Sequence, residues 1–380
     1  MKILFICENY LPHYGGAEVL FKNLAEGFQQ RGHEGTILTH RMKGTARSET
    51  INQVPVHRIP SFFSRYIFSF FAIPKAIQLA QQHDIIQTTT FNGAFPAWIA
   101  GKLTGKPVVL TVHEVWVGKW TQITGFGKIK STLHDLLERM IYLLPFDHYI
   151  CVSNATKADL LKRKIKPDNV QTVYNGLDYQ FWNQKKIKQT EITQLKKRLN
   201  LNNRFVYLAW GRPGASKGFE YLLQAVPKII EKNPSATLLL MLGSAEKYPQ
   251  KTKELHQLIR QLNLPNHIQV LESCPYPGLR TYVSLADCVI IPSVSEGFGY
   301  NAVEAMAMNK PVVISNAGSL PEIIGGKHQI FNSKNADDLA DKAIKVAQGQ
   351  YQWKEMPRFE WKKNIEKYLK VYEQLLPGKK

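Results

Sequence analysis

Short apolar runs alternate with amphipathic helical stretches along this chain, and they do so twice, on either side of one polar interruption. The alternation constrains the fold more than any single residue does. Strands joined through helices pair in parallel, and a parallel sheet has to be covered on both faces. The first series places strands at 2–8, 35–39, 54–59, 85–88, 108–112, 149–152 and 170–173. A helix over 17–30 follows the first strand, with Leu20, Leu24 and Phe28 on one face. After Asn175-Gly176-Leu177-Asp178 the composition turns to Lys, Gln and Asn, and 179–203 reads as a linker or a peripheral helix. The second series has strands at 204–210, 237–242, 267–271, 287–291 and 311–314, with helices over 218–231 and 251–262. A last amphipathic helix, 358–376, carries Trp361, Ile365, Tyr368, Leu369 and Tyr372 on one stripe. The expectation is two doubly wound α/β domains at 1–178 and 204–355, joined by 179–203 and followed by 356–380. Ligands of such sheets bind beyond the carboxyl ends of the strands.

Composition removes several function classes. With 380 residues there is enough chain for two cores, and 44% hydrophobic against 21% charged residues is the balance of a globular protein. No apolar run reaches the length of a membrane span, and the opening Met1-Lys2-Ile3-Leu4-Phe5-Ile6-Cys7 reads as a strand. Cys7, Cys151, Cys274 and Cys288 have no metal spacing, which suits reduced thiols in a cytoplasmic protein. The net charge of +19 is spread through segments such as Lys162-Arg163-Lys164-Ile165-Lys166. It fits a phosphorylated substrate, an anionic membrane face or nucleic acid, and equally a solvated basic surface.

Four stretches carry candidate chemistry. Ser295-Glu296-Gly297-Phe298-Gly299-Tyr300-Asn301 leads from the run ending at Pro292 into the helix formers around Glu304. Glycines at a strand-to-helix turn bring orphan amides and the helix dipole to a ligand. Glu296 and Glu304 suit hydroxyls, as on a sugar or ribose, although Asn301 and Glu304 also fit a capping box. Gly211-Arg212-Pro213-Gly214-Ala215-Ser216-Lys217-Gly218 follows another strand, and reads either as a planar fork with a point charge over backbone donors, which suits a diphosphate, or as a solvated basic loop. Gly15-Gly16 lies between the first strand and first helix, without the three spaced glycines of a dinucleotide fingerprint. His113 ends the strand at 108–112 and reads either as a hydroxyl partner or as a structural cap. Gly101-Lys102-Leu103-Thr104-Gly105-Lys106 precedes a strand and is no phosphate loop. The aromatic run 61–71 reads as a membrane-touching stretch or as one buried helix beside a loop. No Asp-x-Asp pair or metal-spaced cluster occurs, so no divalent ion and no cofactor are expected.

Together these motifs resemble the family 4 glycosyltransferases. The resemblance includes Gly15-Gly16-Ala17-Glu18, His113, Val152-Ser153-Asn154, Tyr174-Asn175-Gly176, Arg212 with Lys217, Glu296-Gly297-Phe298-Gly299, Glu304-Ala305-Met306-Ala307 and Lys310-Pro311-Val312-Val313. It implies the GT-B architecture, two facing Rossmann-like domains with a last helix crossing back to the first. It implies that Arg212 and Lys217 bind the donor diphosphate, helped by Gly16 and the loop Phe298, Gly299, Tyr300 and Asn301. Glu304 would then hold ribose, Glu296 would face the transferred sugar and His113 would contact that sugar. The implied reaction is metal-independent transfer of a hexose-type sugar, with retention, from a UDP- or GDP-sugar to a glycan or lipid-linked acceptor. Such an enzyme would serve polysaccharide or glycoconjugate synthesis in the cytoplasm, with peripheral contact to an anionic inner membrane face and no nucleic-acid partner. Ser244 and Asn309 stand where glycine is usual in this family. An epimerase or phosphorylase on the same fold, or a basic nucleic-acid-binding protein, are the alternatives. Trp116, Lys119 and Trp120 are candidate acceptor walls.

Overall fold

The computed structural model describes residues 1–60 and 65–376, the side chain of Arg65 excepted. The chain divides into two compact units. Unit 1 comprises Met1–Gly118, Ile129–Gly176 and the chain from Phe359 onward, and unit 2 comprises Lys119–Lys128 and Leu177–Arg358.

Unit 1 is built on β1 (Lys2–Ile6), β2 (Glu34–His40), β3 (Ser48–Ile51), β4 (Val54–Ile59), β5 (Ile85–Thr89), β6 (Val108–Val112), β7 (His148–Cys151) and β8 (Val170–Thr172). Their order across the sheet is β3-β4-β2-β1-β5-β6-β7-β8, all parallel except β3, which runs antiparallel to β4 at the edge. Every residue of β5 and β6 is buried, because helices cover both faces. On one face Leu20, Phe21, Leu24 and Phe28 of the helix Gly16–Gln29 pack with Ile365, Tyr368 and Tyr372 of the last helix, Trp361–Leu375. The expected return of that helix to the first unit is what the structure shows.

Its anchorage is polar as well as apolar. Tyr372 donates to Gln87 Oε1 at 2.7 Å, Gln87 Nε2 donates to Thr111 Oγ1 at 2.9 Å, and that hydroxyl meets Tyr368 at 2.9 Å. All four residues are fully buried, so each of these groups depends on the others for its hydrogen bonds.

Unit 2 holds β9 (Phe205–Gly211), β10 (Ala236–Leu242), β11 (Ile268–Glu272), β12 (Cys288–Ile291), β13 (Val312–Ser315), β14 (Gly326–Phe331) and β15 (Gln352–Lys354), in the order β11-β10-β9-β12-β13-β14-β15. Only β15 is antiparallel. The core beneath the helix Phe219–Lys232 joins Phe219, Leu222 and Val226 to Leu238, Leu240 and Ile290. The stretch 179–203 contains the helix Gln189–Arg198, which buries Ile192 and Leu195 and packs on the helix Tyr276–Leu285. Among the described residues no helix is long and apolar enough to cross a membrane. Of the aromatic run at 61–71, residues 61–64 lie outside the described residues. The remainder forms a turn, Arg65–Ile67, and the short helix Phe68–Phe71, with Phe68 buried and Phe70 and Phe71 exposed.

Replacing Tyr372 with Phe leaves Gln87 Oε1 buried without its donor. Chemical denaturation of the full chain should report a loss of about 1–3 kcal/mol, whereas a loss within error would show that water satisfies the amide.

Candidate functional site

Strand order decides where unit 2 presents its chemistry. The chain leaves β9 for β10 and β11 on one side, then returns to pair β12 on the other side of β9. The loops leaving β9 and β12 therefore diverge at adjacent carboxyl ends, which is where an open α/β sheet leaves a crevice. Those two loops are the ones that carry Arg212, Lys217, Glu296 and the 297–301 turn.

The loops also touch each other. Ser216 O accepts from Val294 N at 2.7 Å and from Ser295 N at 3.3 Å. Gly218, at φ +62°, passes beneath the second loop so closely that a Cβ there would lie 2.2 Å from Pro292 O. Only glycine meets both demands. The contact sets Lys217 Nζ 2.8 Å from Glu296 Oε2, with both side chains mostly buried, and Ser293 Oγ donates to the same carboxylate oxygen at 3.1 Å. Ser319 N and Oγ hold Glu296 O at 3.0 and 3.2 Å. Arg212 is exposed on the first loop, with no ion-pair partner among the described residues.

The second loop enters the helix Tyr300–Ala307 through Gly299 at φ +88°. Because Gly299 is the N-cap, Asn301 is the second residue of the helix and Glu304 the fifth, so the capping-box reading of this pair fails. Asn301 Nδ2 instead donates to Trp210 O at 2.7 Å, tying the helix to the end of β9. Phe298 is buried and packs edge-on against Tyr300, their ring centroids 5.1 Å apart, as a support for the turn.

Glu304 is 5% exposed, and Tyr276 OH donates to its Oε1 at 3.1 Å. Burial pushes its carboxyl up to about 7, against the opposing pull of the Tyr276 hydrogen bond and the Lys217 charge. Burial and the adjacent Glu304 hold the Tyr276 hydroxyl well above the usual tyrosine range, so it remains a donor. Trp182 Nε1 in turn donates to Tyr276 OH at 3.0 Å. Phe181 stacks on Tyr276 with centroids 5.1 Å apart, and the Arg280 guanidinium lies 4.1 Å from the Phe181 centroid. Neither Tyr276 nor Trp182 stood out in the sequence. Pro275-Tyr276-Pro277 signals a helix start, but nothing local says that its tyrosine reaches a glutamate 28 residues on.

The other two expected site residues belong to unit 1. Gly16 opens the helix Gly16–Gln29, whose N-cap Gly15 offers no side-chain cap. Glu18 in that first turn lies 3.2 Å from His13 Nδ1. His113 follows β6 directly, and its Nε2 is buried without a hydrogen-bond partner among the described residues. Burial depresses the imidazole to about 4, despite the opposing Glu18 charge, so it is neutral at physiological pH. Of the candidate acceptor walls, expected in the first domain, Trp116 falls in unit 1 but Lys119 and Trp120 fall in unit 2. Trp120 has a definite place there. It is buried in the short helix Trp120–Thr124, which falls in unit 2 and packs on the Ala215–Lys217 turn beside the diphosphate-loop candidates. Ser244 and Asn309, two of the positions where the resemblance leads one to expect glycine, keep left-handed backbone at φ +53° and +55°.

Comparison with known proteins bears on the family and the fold. The chain matches Glycosyltransferase Family 4 over residues 14–181 and Glycosyl transferases group 1 over 191–367. It is 28% identical to an uncharacterized glycosyltransferase of Methanocaldococcus jannaschii, covering 90% of this chain and 87% of that protein. It is 25% identical to the phosphatidylinositol N-acetylglucosaminyltransferase GPI3 subunit of Saccharomyces cerevisiae, covering 91% and 75%. The crystal structure of Anabaena HepE in complex with UDP and glucose superposes with a TM-score of 0.75 at 21% identity, covering 98% of this chain and all of that one. That likeness is one of fold, and it establishes the two-domain, Rossmann-like GT-B class.

The raised carboxyl of Glu304 has a consequence for stability. An acid whose folded pKa lies above its unfolded value of 4.5 favours folding while protonated, and that contribution is lost as pH rises toward about 7. The Glu304→Gln variant should therefore gain melting temperature relative to the parent between about pH 5 and about pH 8. A difference that does not change with pH would remove Glu304 as the buried titrating group.

Proposed function

This chain belongs to the family 4 glycosyltransferases, and from that premise we propose that it is a retaining, metal-independent hexosyltransferase. Its donor is a nucleoside-diphosphate sugar and its acceptor a glycan or a lipid-linked molecule. The observation that carries the proposal is the Lys217–Glu296 pair at 2.8 Å, within electrostatic reach of the buried Glu304. A lysine already balanced by a carboxylate can change partners. When a diphosphate enters, Lys217 turns to it together with Arg212, and Glu296 is released to accept from hydroxyls of the sugar. Glu304, held by Tyr276, takes the ribose hydroxyls. Gly299 and Asn301 shape the amide-bearing turn over the phosphates, with Phe298 and Tyr300 beneath it, and Gly16 offers a second uncapped helix start. His113 enters as a neutral imidazole hydrogen-bonding a sugar hydroxyl.

In the transfer, the bond between the anomeric carbon and the diphosphate oxygen breaks. The bond to the acceptor oxygen forms on the same face, and the acceptor proton passes to the departing phosphate oxygen. The protein's main task is to stabilise the diphosphate as charge develops on it, for which Arg212 and Lys217 are the cations. A UDP-linked donor is supported by the UDP and glucose bound to HepE.

Thermal-shift measurements against UDP-, GDP- and ADP-sugars should give the largest stabilisation with a UDP-sugar, and no shift with any of them would remove the proposal. With the donor known, Lys217→Ala should lower kcat by about 100- to 1000-fold, as removal of one charge-stabilising donor does. Chelator should leave turnover unchanged, and metal-dependent turnover would overturn metal independence. Tyr276→Phe should raise the donor KM about tenfold with little change in kcat, because the interaction it supports is already made in the ground state. An equal loss in both substrates' KM would point to unfolding of the loop instead.

A further inference from the structure

Tyr276 is held by its hydroxyl and by one face of its ring, and its other face is open. The hydroxyl donates to Glu304 Oε1 at 3.1 Å and accepts from Trp182 Nε1 at 3.0 Å. A phenol has one proton to give, and the indole N–H already occupies its oxygen, so that proton is directed to the carboxylate. Phe181 covers one ring face, with centroids 5.1 Å apart and an interplanar angle of 2°, while Trp182 meets the ring edge-on at 83°. Arg280 fixes Phe181 in turn. Its guanidinium lies 4.1 Å from that ring, and its Nη1 donates to Phe181 O at 2.9 Å. Tyr276 is nevertheless 55% exposed. With the hydroxyl and one face occupied, that exposure belongs to the opposite face.

Single exposed aromatics are ordinary on a protein surface. This one ends a layered stack of guanidinium, phenyl and phenol, all within unit 2, and it cannot turn without breaking both hydrogen bonds of its hydroxyl. A flat face held in one orientation binds another flat ring with little loss of side-chain freedom. Its position says which ring. In the transferase reading Glu304 takes the ribose of the donor, and the base is one glycosidic bond from that ribose. The transferred sugar, in contrast, lies beyond two phosphates, at the Lys217–Glu296 pair.

We infer that the open face of Tyr276 seats the nucleobase of the donor, with Phe181, Trp182 and Arg280 as the frame that holds the ring in place. This seat rests on the donor assignment proposed above, and adds to it the group that distinguishes a nucleotide from a bare diphosphate. Every base has a π-face, so the contact supplies affinity more than choice among bases.

Calorimetric titration of the full chain with UDP and with inorganic pyrophosphate separates the two parts of the site. The parent should bind UDP at least about tenfold more tightly than pyrophosphate, with hypochromism of the uracil absorption band. Tyr276→Phe keeps the ring and loses the hydroxyl, whereas Tyr276→Leu loses both. The Leu variant should bind UDP about 5- to 100-fold more weakly than the Phe variant, lose the hypochromism, and bind pyrophosphate as the parent does. Equal UDP affinity of the two variants overturns the seat, as does hypochromism that survives in Tyr276→Leu. A loss of pyrophosphate binding as large as the loss of UDP binding also overturns it, because a disturbed loop would then be the cause. If the parent binds pyrophosphate and UDP equally, the nucleobase seat fails and the diphosphate site stands. If it binds neither, the donor assignment fails and the seat with it.

Discussion

The candidate site depends on one backbone contact, the passage of Gly218 beneath the carbonyl of Pro292. Parallel pairing of β9 and β12 brings their carboxyl ends together, but pairing alone would let the two loops spread apart. The amides of Val294 and Ser295 on Ser216 O hold them joined. Lys217, one residue before the glycine, is thereby brought within 2.8 Å of Glu296. The charge chemistry thus follows from main-chain geometry, and a side chain at position 218 would separate the two groups without touching either.

Two buried polar clusters show different solutions to the same problem. In unit 1, Gln87, Thr111, Tyr368 and Tyr372 satisfy one another, which fixes the last helix in a single register against the sheet. In unit 2, Glu304 has one hydroxyl donor and a distant lysine, too little to offset its burial, and its carboxyl rises to about 7. A fully satisfied network suits structure. A carboxylate left short of partners holds acceptor capacity in reserve for a ligand.

How much of this was legible beforehand depended on whether the signal was local. The apolar runs at β1, β5, β6, β10, β12 and β13 declared themselves, because strands buried on both faces leave no polar alternation to confuse the pattern. β14 did not, since Lys327, His328 and Gln329 interrupt it, and β15 is three exposed residues that pair only because β14 is there. At the site, Arg212, Lys217, Glu296 and Glu304 were visible as charges beside glycines. Tyr276 and Trp182 were not, because their importance comes from partners far along the chain, and Trp120 was singled out as an acceptor wall without any local sign of its packing on the Ala215–Lys217 turn. The Lys128–Leu143 helix makes a related point. Periodicity reveals that a helix has two faces, but the hydrogen bonds that Glu138 Oε1 accepts from Trp116 N and Tyr142 OH reveal which one is inside.

The short helix Trp120–Thr124 gives the chain an unusual inheritance. Polypeptide passes between the two units four times, at residues 118–119, 128–129, 176–177 and 358–359. A cut at the polar stretch in the middle of the sequence would not yield two modules. It would strip the Ala215–Lys217 turn of its tryptophan support and leave the other sheet without the helix that seals one face. Exchanging one half of such a gene for a relative's keeps both units whole only if both exchanged pieces travel with it.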